Sequence, residues 1–404
     1  MQLSEIKQIT GNESKIDKRT FTVVPYSPVF VGSGMSMRKG LDFYCSKGQT
    51  HLFDLQKIYY TYIKDLDNLE QAILNGSLDQ FINGKGDNPL NFVKQTVTGD
   101  VLGQELMQPV RDGFGHPILP GSSLKGSIRT ALFAELFKDK KMKVSDYEKA
   151  IKGRKVNGNE LERILLSTSM NRGKAPNYDL GRVLRISDAT FKPEDLEVFN
   201  SVVINQTNRG YQYKVMGRGA SNSQHLSDAT FISTLALSFD ADLVKPAEFS
   251  MSIDNMAKKA IDWKNTFDFR YVANACNNLS KRLIEYELAY FSEALADLPV
   301  LEIIKEEYSL LTEDVEQCIE DTEKGKTCWM MRTGWGSGWL SMTGGHGFLS
   351  DPDGNEYITS LKKAAHFLFK RTKGFEYPKT RKVVLDIAKK PASIMGWLLI
   401  EQKS

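Results

Sequence analysis

Six segments with regular hydrophobic spacing follow one another along this chain as strand, helix, strand, strand, helix, strand. That order limits the fold more than any other feature. The first strand lies in "KRTFTVVPYSPVFVGSG", where Phe21, Val23 and Val29 to Val31 are apolar and Gly32 and Gly34 are expected to stop it. "LPGSSLKGSIRTALF" then starts a helix: past Pro120 and Gly121, the residues Leu124, Ile128, Ala131, Leu132 and Leu136 recur at helical spacing. "RVLRISDATF" and "AEFSMSIDN" read as the second and third strands, and "WLLIEQ" as the last. Before that last strand, Val272, Cys276, Leu279, Leu283, Tyr286 and Tyr290 mark a long helix from roughly Tyr271 to Leu298. The sequence therefore predicts an α+β protein of the split βαβ, or ferredoxin-like, order with helical and loop insertions. Among the insertions are a helix after Asp54 and a polar loop or hairpin over residues 76–101. Two short strands are expected around Asp112 and Gly113, in "QPVRDGFGHPILP".

The helix start carries chemistry as well as shape. Gly121 and Gly126 have the spacing of a P-loop, but Gly126 is followed by Ser127 and Ile128 where a P-loop needs Lys and then Ser or Thr. Nucleotide hydrolysis is not expected. A first helical turn normally gathers acids against the partial positive charge of its free N–H groups. Here it offers Ser122, Ser123 and Lys125, then Arg129, with no acid before Glu135. The expectation is an anion from outside the chain, a phosphate held by Ser122, Lys125 and Arg129 beside exposed N–H groups.

A second glycine cluster, "MRTGWGSGWLSMTGG", alternates Gly334, Gly336 and Gly338 with Trp335 and Ser337 and continues to Trp339. Its spacing does not fit the dinucleotide fingerprint, and no acid follows at the needed distance. Close-set glycines let backbone N–H groups approach phosphates, and the tryptophans suit base stacking, with core packing as the competing role.

The 404 residues are long enough for two or three domains, and we place a boundary between 1–255 and 256–404. No run of about 18 apolar residues occurs and the start "MQLSEIKQIT" lacks an apolar signal core, so a cytoplasmic, non-membrane protein is expected. Cys45, Cys276, Cys318 and Cys328 are scattered without a CxxC pair, which argues against a zinc site, and no metal or cofactor is expected. Net charge is only +3, yet residues 299–324 hold nine acids and two lysines while residues 362–390 hold ten basic residues and two acids. Such separation suits one polyanion-binding face. The pentapeptide Ser-Asp-Ala-Thr-Phe occurs at both Ser187 and Ser227, with unmatched flanks, too little for a repeat architecture.

"SPVFVGSG", "LPGSSLKGSIRTAL", "RVLRISDA", "TGWGSGWLSMT", "YPKTRKVV" and "MGWLLIEQ" together resemble the RAMP proteins of CRISPR systems. The chain is most similar to those that cap the guide 3′ end in type III-A Csm effectors. The resemblance implies an RRM-like RAMP fold, in one or two such domains. It implies a non-catalytic subunit that binds crRNA by its backbone, supports crRNA maturation, target RNA binding and antiviral defence, and sits beside other RAMP subunits of the Csm effector complex. Recruitment of a host nuclease for maturation stays open. Phe30 departs from the His common in the family's "PVHIG", which removes a polar group near the first glycine turn. A guide subunit must accept any sequence, so phosphate and sugar contacts are expected to dominate. The contact set read from the motifs is Ser33, Gly34, Gly121, Ser122, Ser123, Lys125, Arg129, Arg332, the run Gly334 to Trp339, and Lys379 and Arg381 of the basic tail. Residues 207–225 add Arg209, Lys214 and Arg218 with Tyr211 and Tyr213, a candidate RNA-touching finger. The alternative is a metal-independent endoribonuclease that processes CRISPR RNA, with His346 as its acid or base. Asp42, after the first glycine turn, is the candidate for metal-assisted target cleavage.

Overall fold

The computed structural model describes residues 16–139, 166, 179–217, 219–341 and 378–403. Its first sheet runs β14 (Cys328–Arg332), β17 (Trp397–Gln402), β1 (Ile16–Pro25), β13 (Ala247–Asp254), β8 (Leu184–Ile186), with every neighbouring pair antiparallel. Without β14, the order along the sheet is fourth, first, third and second of the strands read from the sequence. β1 alternates as a half-buried strand should, with Phe21 and Val23 fully buried and Thr20 exposed. Phe21 meets Phe249, Phe269 and Trp329 at ring distances of 5.8, 5.5 and 5.3 Å, so one residue joins β1, β13, β14 and a helix. That helix, α6 (Phe269–Ala294), packs beside α4 (Gly121–Asp139) on the sheet, with α7 (Glu302–Glu323) against it. Inward-facing Asn277 and Ser280 of α6 bond the backbone of β14, and Leu124, Ile128 and Leu132 of α4 are buried.

A second sheet, unforeseen from the sequence, runs β16 (Pro391–Ser393), β15 (Thr380–Leu385), β10 (Leu196–Thr207), β12 (Ile232–Leu237), β6 (Glu105–Pro109), β2 (Gly32–Arg38), and β11 (Gly210–Tyr213) pairs with β10. β2 corrects one expectation. The first strand ends at Pro25, and Gly32 opens a new strand instead of stopping the old one, because Val29 already bridges to Leu237 of this sheet. Residues 76–101 are a second correction. They form α3 (Leu78–Gly84) and β5 (Val93–Thr98), which pairs with the hairpin β3 (Phe43–Ser46) and β4 (Gln49–Phe53). Together with α1 (Leu55–Thr61) and α2 (Leu66–Asn75) they close on a core of Phe53, Ile58, Leu69, Leu78, Ile82 and Phe92. The polar residues read as loop are the outer faces of short elements. The strands expected around Asp112 exist, as β6 and as β7 (Ile118–Leu119), which pairs with β9 (Ala189–Thr190).

Position 255 is the first residue of the short α5 (Asn255–Ala260), directly after β13, and strands from both sides of it hydrogen-bond in each large sheet. No helix among the described residues is long and apolar enough to cross a membrane.

Candidate nucleic-acid interface

Three motifs distant in sequence meet at one place. The Ser127 hydroxyl of α4 bonds the Thr333 hydroxyl at 2.9 Å, tying the helix start to the glycine-rich loop. Trp335 N–H donates to the Phe30 carbonyl at 2.8 Å, tying that loop to the first glycine turn. Gly334 is required at this junction: its φ is +74°, and a Cβ there would lie 2.5 Å from the Phe30 oxygen. Phe30 itself is 1% exposed, edge-on to Trp335 and packed with Ala236, Val384 and Met395. Phe30 is therefore a core residue, at the position where the resemblance led us to expect a polar histidine. Beyond Phe30, the β2–β6 register shifts between Gly32 and Ser36, so Ser33 and Gly34 stand out as an exposed bulge, with Ser33 Oγ donating to the Gln108 carbonyl.

The helix start corrects the expectation of an external anion. Asp188 accepts from the Gly121 N–H at 2.7 Å, supplying from 67 residues away the acid that the first turn lacks. Arg129 is held by both oxygens of Asp179, at 2.5 and 2.7 Å, and is not an unpaired cation. Ser122 is exposed and Ser123 half-buried. Lys125 is the cation that remains. It has no hydrogen-bond partner among the described residues, and partial burial, then the charges of Arg129 and Arg185, hold its pKa below the usual lysine value.

Arg332 and Arg381 are also not surface contacts. Each is 6% exposed, and both bond Glu287 of α6, Arg332 through Oε1 at 3.4 Å and Arg381 through Oε2. Arg332 further donates to the carbonyls of Met395 at 2.9 Å and Gly336 at 3.1 Å, so it braces the glycine-rich loop from beneath. Arg381 lies over Tyr290 at 4.2 Å. In the loop above, Gly336, Ser337, Trp335 and Trp339 are half-buried and Gly338 is exposed, while Trp339 packs against the main core. The Lys379 carbonyl accepts from Gln206 N–H and from the Tyr290 hydroxyl, fixing the entry to β15.

Tyr211 and Tyr213 correct the finger expectation. They occupy alternate, inward positions of β11, with Tyr211 bonded to Glu293 at 2.8 Å and edge-on to Tyr290. They are not available to stack on bases. Arg209 is exposed at the hairpin turn, Lys214 is half-buried, and Arg218 lies outside the described residues. Asp42 sits in a turn where its carboxylate accepts from Arg38 N–H at 2.7 Å, and among the described residues no group of three metal-ligating side chains occurs. His346 lies outside the described residues. Asp179, Asp188 and Thr333 went unread because their partners are remote in sequence; Lys382, quoted in "YPKTRKVV", lies 4.2 Å from the Trp335 ring. The echoed pentapeptide has no common role, since Asp188 caps α4 whereas Asp228 accepts from Ser223.

Comparison with known proteins fits this convergence of glycine turns on a helix start. Residues 25–306 match the RAMP superfamily. The chain belongs to the RAMP superfamily. A curated relative, the "CRISPR system Cms protein Csm5" of Methanocaldococcus jannaschii, is 23% identical over 283 residues, which cover 65% of this RAMP chain and 61% of the relative. The match thus spans less than two thirds of that protein. Among solved structures, a chain of a Csm–crRNA–target RNA ternary complex from a type III-A CRISPR-Cas system superposes with a TM-score of 0.64 at 19% identity. That superposition covers 95% of this chain and 100% of that one. The crystal structure of T. onnurineus Csm5 superposes at 0.61 and 16% identity, over 94% and 99%. At these identities the superpositions speak for the fold, a mixed α and β RAMP architecture.

Proposed function

We propose that this RAMP chain is a non-catalytic crRNA-binding subunit of a type III-A Csm effector. In this reading it caps the guide 3′ end, works beside other RAMP subunits and target RNA, and supports crRNA maturation and antiviral defence in the cytoplasm. The observation that carries the reading is the junction of Ser127, Thr333, Trp335 and Phe30, which fuses helix start, glycine-rich loop and first glycine turn into one surface beside Lys125, which has no hydrogen-bond partner among the described residues. Relatives named as Csm5, or solved within a Csm complex with crRNA and target RNA, support the same assignment. Backbone N–H groups, hydroxyls and a lysine contact phosphate and sugar without reading bases, as a subunit that accepts any spacer requires. Asp42 Oδ2 accepts the Arg38 N–H, and among the described residues no group of three metal-ligating side chains occurs, which favours the non-catalytic reading over metal-assisted cleavage.

The test is binding of single-stranded crRNA to the full-length protein in metal-free buffer, across a salt series. Tight binding without cleavage is expected, with Lys125→Glu weakening it about tenfold and reducing the log–log salt slope by about 0.7. Cleavage of repeat RNA lost in His346→Ala would replace this reading with the endoribonuclease.

A further inference from the structure

On the face of the second sheet turned away from the main core, neighbouring segments hold two half-buried lysines in one row. Lys382 of β15 is the cross-strand partner of Val203 on β10. On the other side of Val203, Lys214 N–H donates to the Val203 carbonyl at 2.8 Å. Strands lie about 4.8 Å apart, so the two lysine backbones stand roughly 10 Å from each other, close enough for their long side chains to converge on one group. The Lys382 ammonium lies 4.2 Å from the Trp335 ring centre, which places this row against the glycine-rich loop. Burial lowers the Lys382 pKa, and the nearby Arg332 and Lys214 charges lower it further.

The row lacks counter-charge among the described residues. Among the described residues neither lysine side chain has a carboxylate or hydrogen-bond partner. Some other lysines are matched, as Lys281 with Glu316, Lys324 with Glu320, Lys326 with Glu401, and Lys403 with Glu248, while unmatched ones such as Lys18, Lys64 and Lys94 are exposed to water; Lys214 and Lys382 are half-buried. Like charges gathered on one face destabilise a sheet unless an anion joins them. Two residues along β10, and so on the same face, Asn205 is 8% exposed and its Oδ1 has no donor among the described residues. A missing anion and a missing donor together describe a ligand that carries both.

We infer that Lys214 and Lys382, beside Trp335 and Asn205, bind a phosphodiester group of single-stranded RNA, at a contact separate from Lys125. The inference rests on the RNA-binding reading above and extends it across the second sheet. A ribose-phosphate backbone supplies the anion to the two ammoniums and, through its 2′-hydroxyl, a donor for an orphaned acceptor. An acidic peptide would satisfy the lysines as well, so it is tested as a competitor.

The experiment measures fluorescence anisotropy of a fluorescein-labelled single-stranded RNA titrated with the full-length protein between about 50 and 200 mM salt. Lys214→Glu and Lys382→Glu are each expected to weaken binding about tenfold and to lower the salt slope by about 0.7, while Lys214→Arg keeps both near the wild-type values. Wild-type binding with unchanged affinity and slope in both charge reversals overturns the inference and leaves the RNA-binding reading standing. Failure of the wild-type protein to bind RNA overturns the reading itself. Displacement of labelled RNA by poly-glutamate as effectively as by unlabelled RNA assigns the row to an acidic peptide and also overturns the inference. Thermal melting checks that each variant folds, and Lys214→Glu alone carries the test if Lys382→Glu does not.

Discussion

Charged residues around the glycine-rich loop show why single positions misled the sequence reading. Arg332 and Arg381 flank a glycine cluster and a basic tail, so their type and position suggested phosphate contact. The partner that claims them, Glu287, sits on a helix 45 residues from one and 94 from the other. Removing that carboxylate would leave two guanidinium groups buried without compensation, which is why the trio acts as internal bracing. Glu307 of α7 occupies a similar place beneath the loop. It accepts from the Ser393 hydroxyl at 2.7 Å and from Ile394 N–H at 2.8 Å, and burial pushes its pKa from 4.5 up to about 7. A carboxyl raised in the folded state adds stability that is whole below its unfolded pKa and is lost as pH climbs through the folded one. The wild-type advantage over Glu307→Gln should therefore shrink between pH 4.5 and 7. The loss should be about 2 kcal/mol, somewhat less than the full shift implies because the residue is not fully buried. Urea denaturation at pH 5 and pH 8 reads this directly, and an equal difference at both would show that Glu307 titrates normally.

Elements built from local periodicity were legible: β1, α4, α6 and β13 lie close to where their apolar spacing put them, because each buries a regular stripe or alternate face, and β17 lies where its apolar run put it. β14 was missed, since "CWMMR" is buried at all five positions and shows no alternation. The glycine-rich loop was legible as a turn but not as a junction. Its glycines have separable duties, and these give a sharper test than any bulky replacement. Gly336 has Met395 side-chain atoms 3.1 Å from an added Cβ, so substitution there mixes packing with binding. Gly338 has φ +78° with nothing within 4 Å of an added Cβ, whereas Gly334 faces the Phe30 carbonyl. Asn tolerates the left-handed region better than other side chains, so it probes space more than strain. Gly338→Asn should melt within a few degrees of wild type yet bind RNA about tenfold more weakly, about 1.4 kcal/mol, because its side chain enters the exposed approach to the loop. Gly334→Asn should lower the melting temperature clearly through collision with Phe30. Equal RNA affinity in a folded Gly338→Asn protein would remove the loop tip from the interface.

Across the whole molecule, the order of the six segments revealed the first sheet because each step is a local pattern, and it hid the second because that sheet is assembled from scattered pieces. β2, β6, β10, β12, β15 and β16 span residues 32 to 393 and include a parallel β6–β12 pair, which no hairpin signal announces. The acid-rich stretch proved to be α7, with Ile304, Tyr308, Leu311, Val315 and Cys318 turned inward and its acids largely outward. Most of the basic stretch lies outside the described residues. Both sheets take strands from before and after residue 255, and this bears on folding. A fragment of residues 1–255 would strip β17 from β1, leave Val23 without Ile400 opposite, and remove Trp329 and Phe269 from Phe21. It would also take α6 from α4 and β15 from β10. Exposed apolar surface of this extent, together with two newly bare strand edges, favours aggregation over folding. The fragment is therefore expected to give no cooperative thermal transition and to bind an apolar dye. The full-length chain should melt in one transition seen alike by far-ultraviolet circular dichroism and tryptophan fluorescence, since Trp329 and Trp397 sit in strands that close the first sheet. A 1–255 fragment that melts cooperatively would mean that the N-terminal part holds a core of its own and that the C-terminal strands merely dock on it.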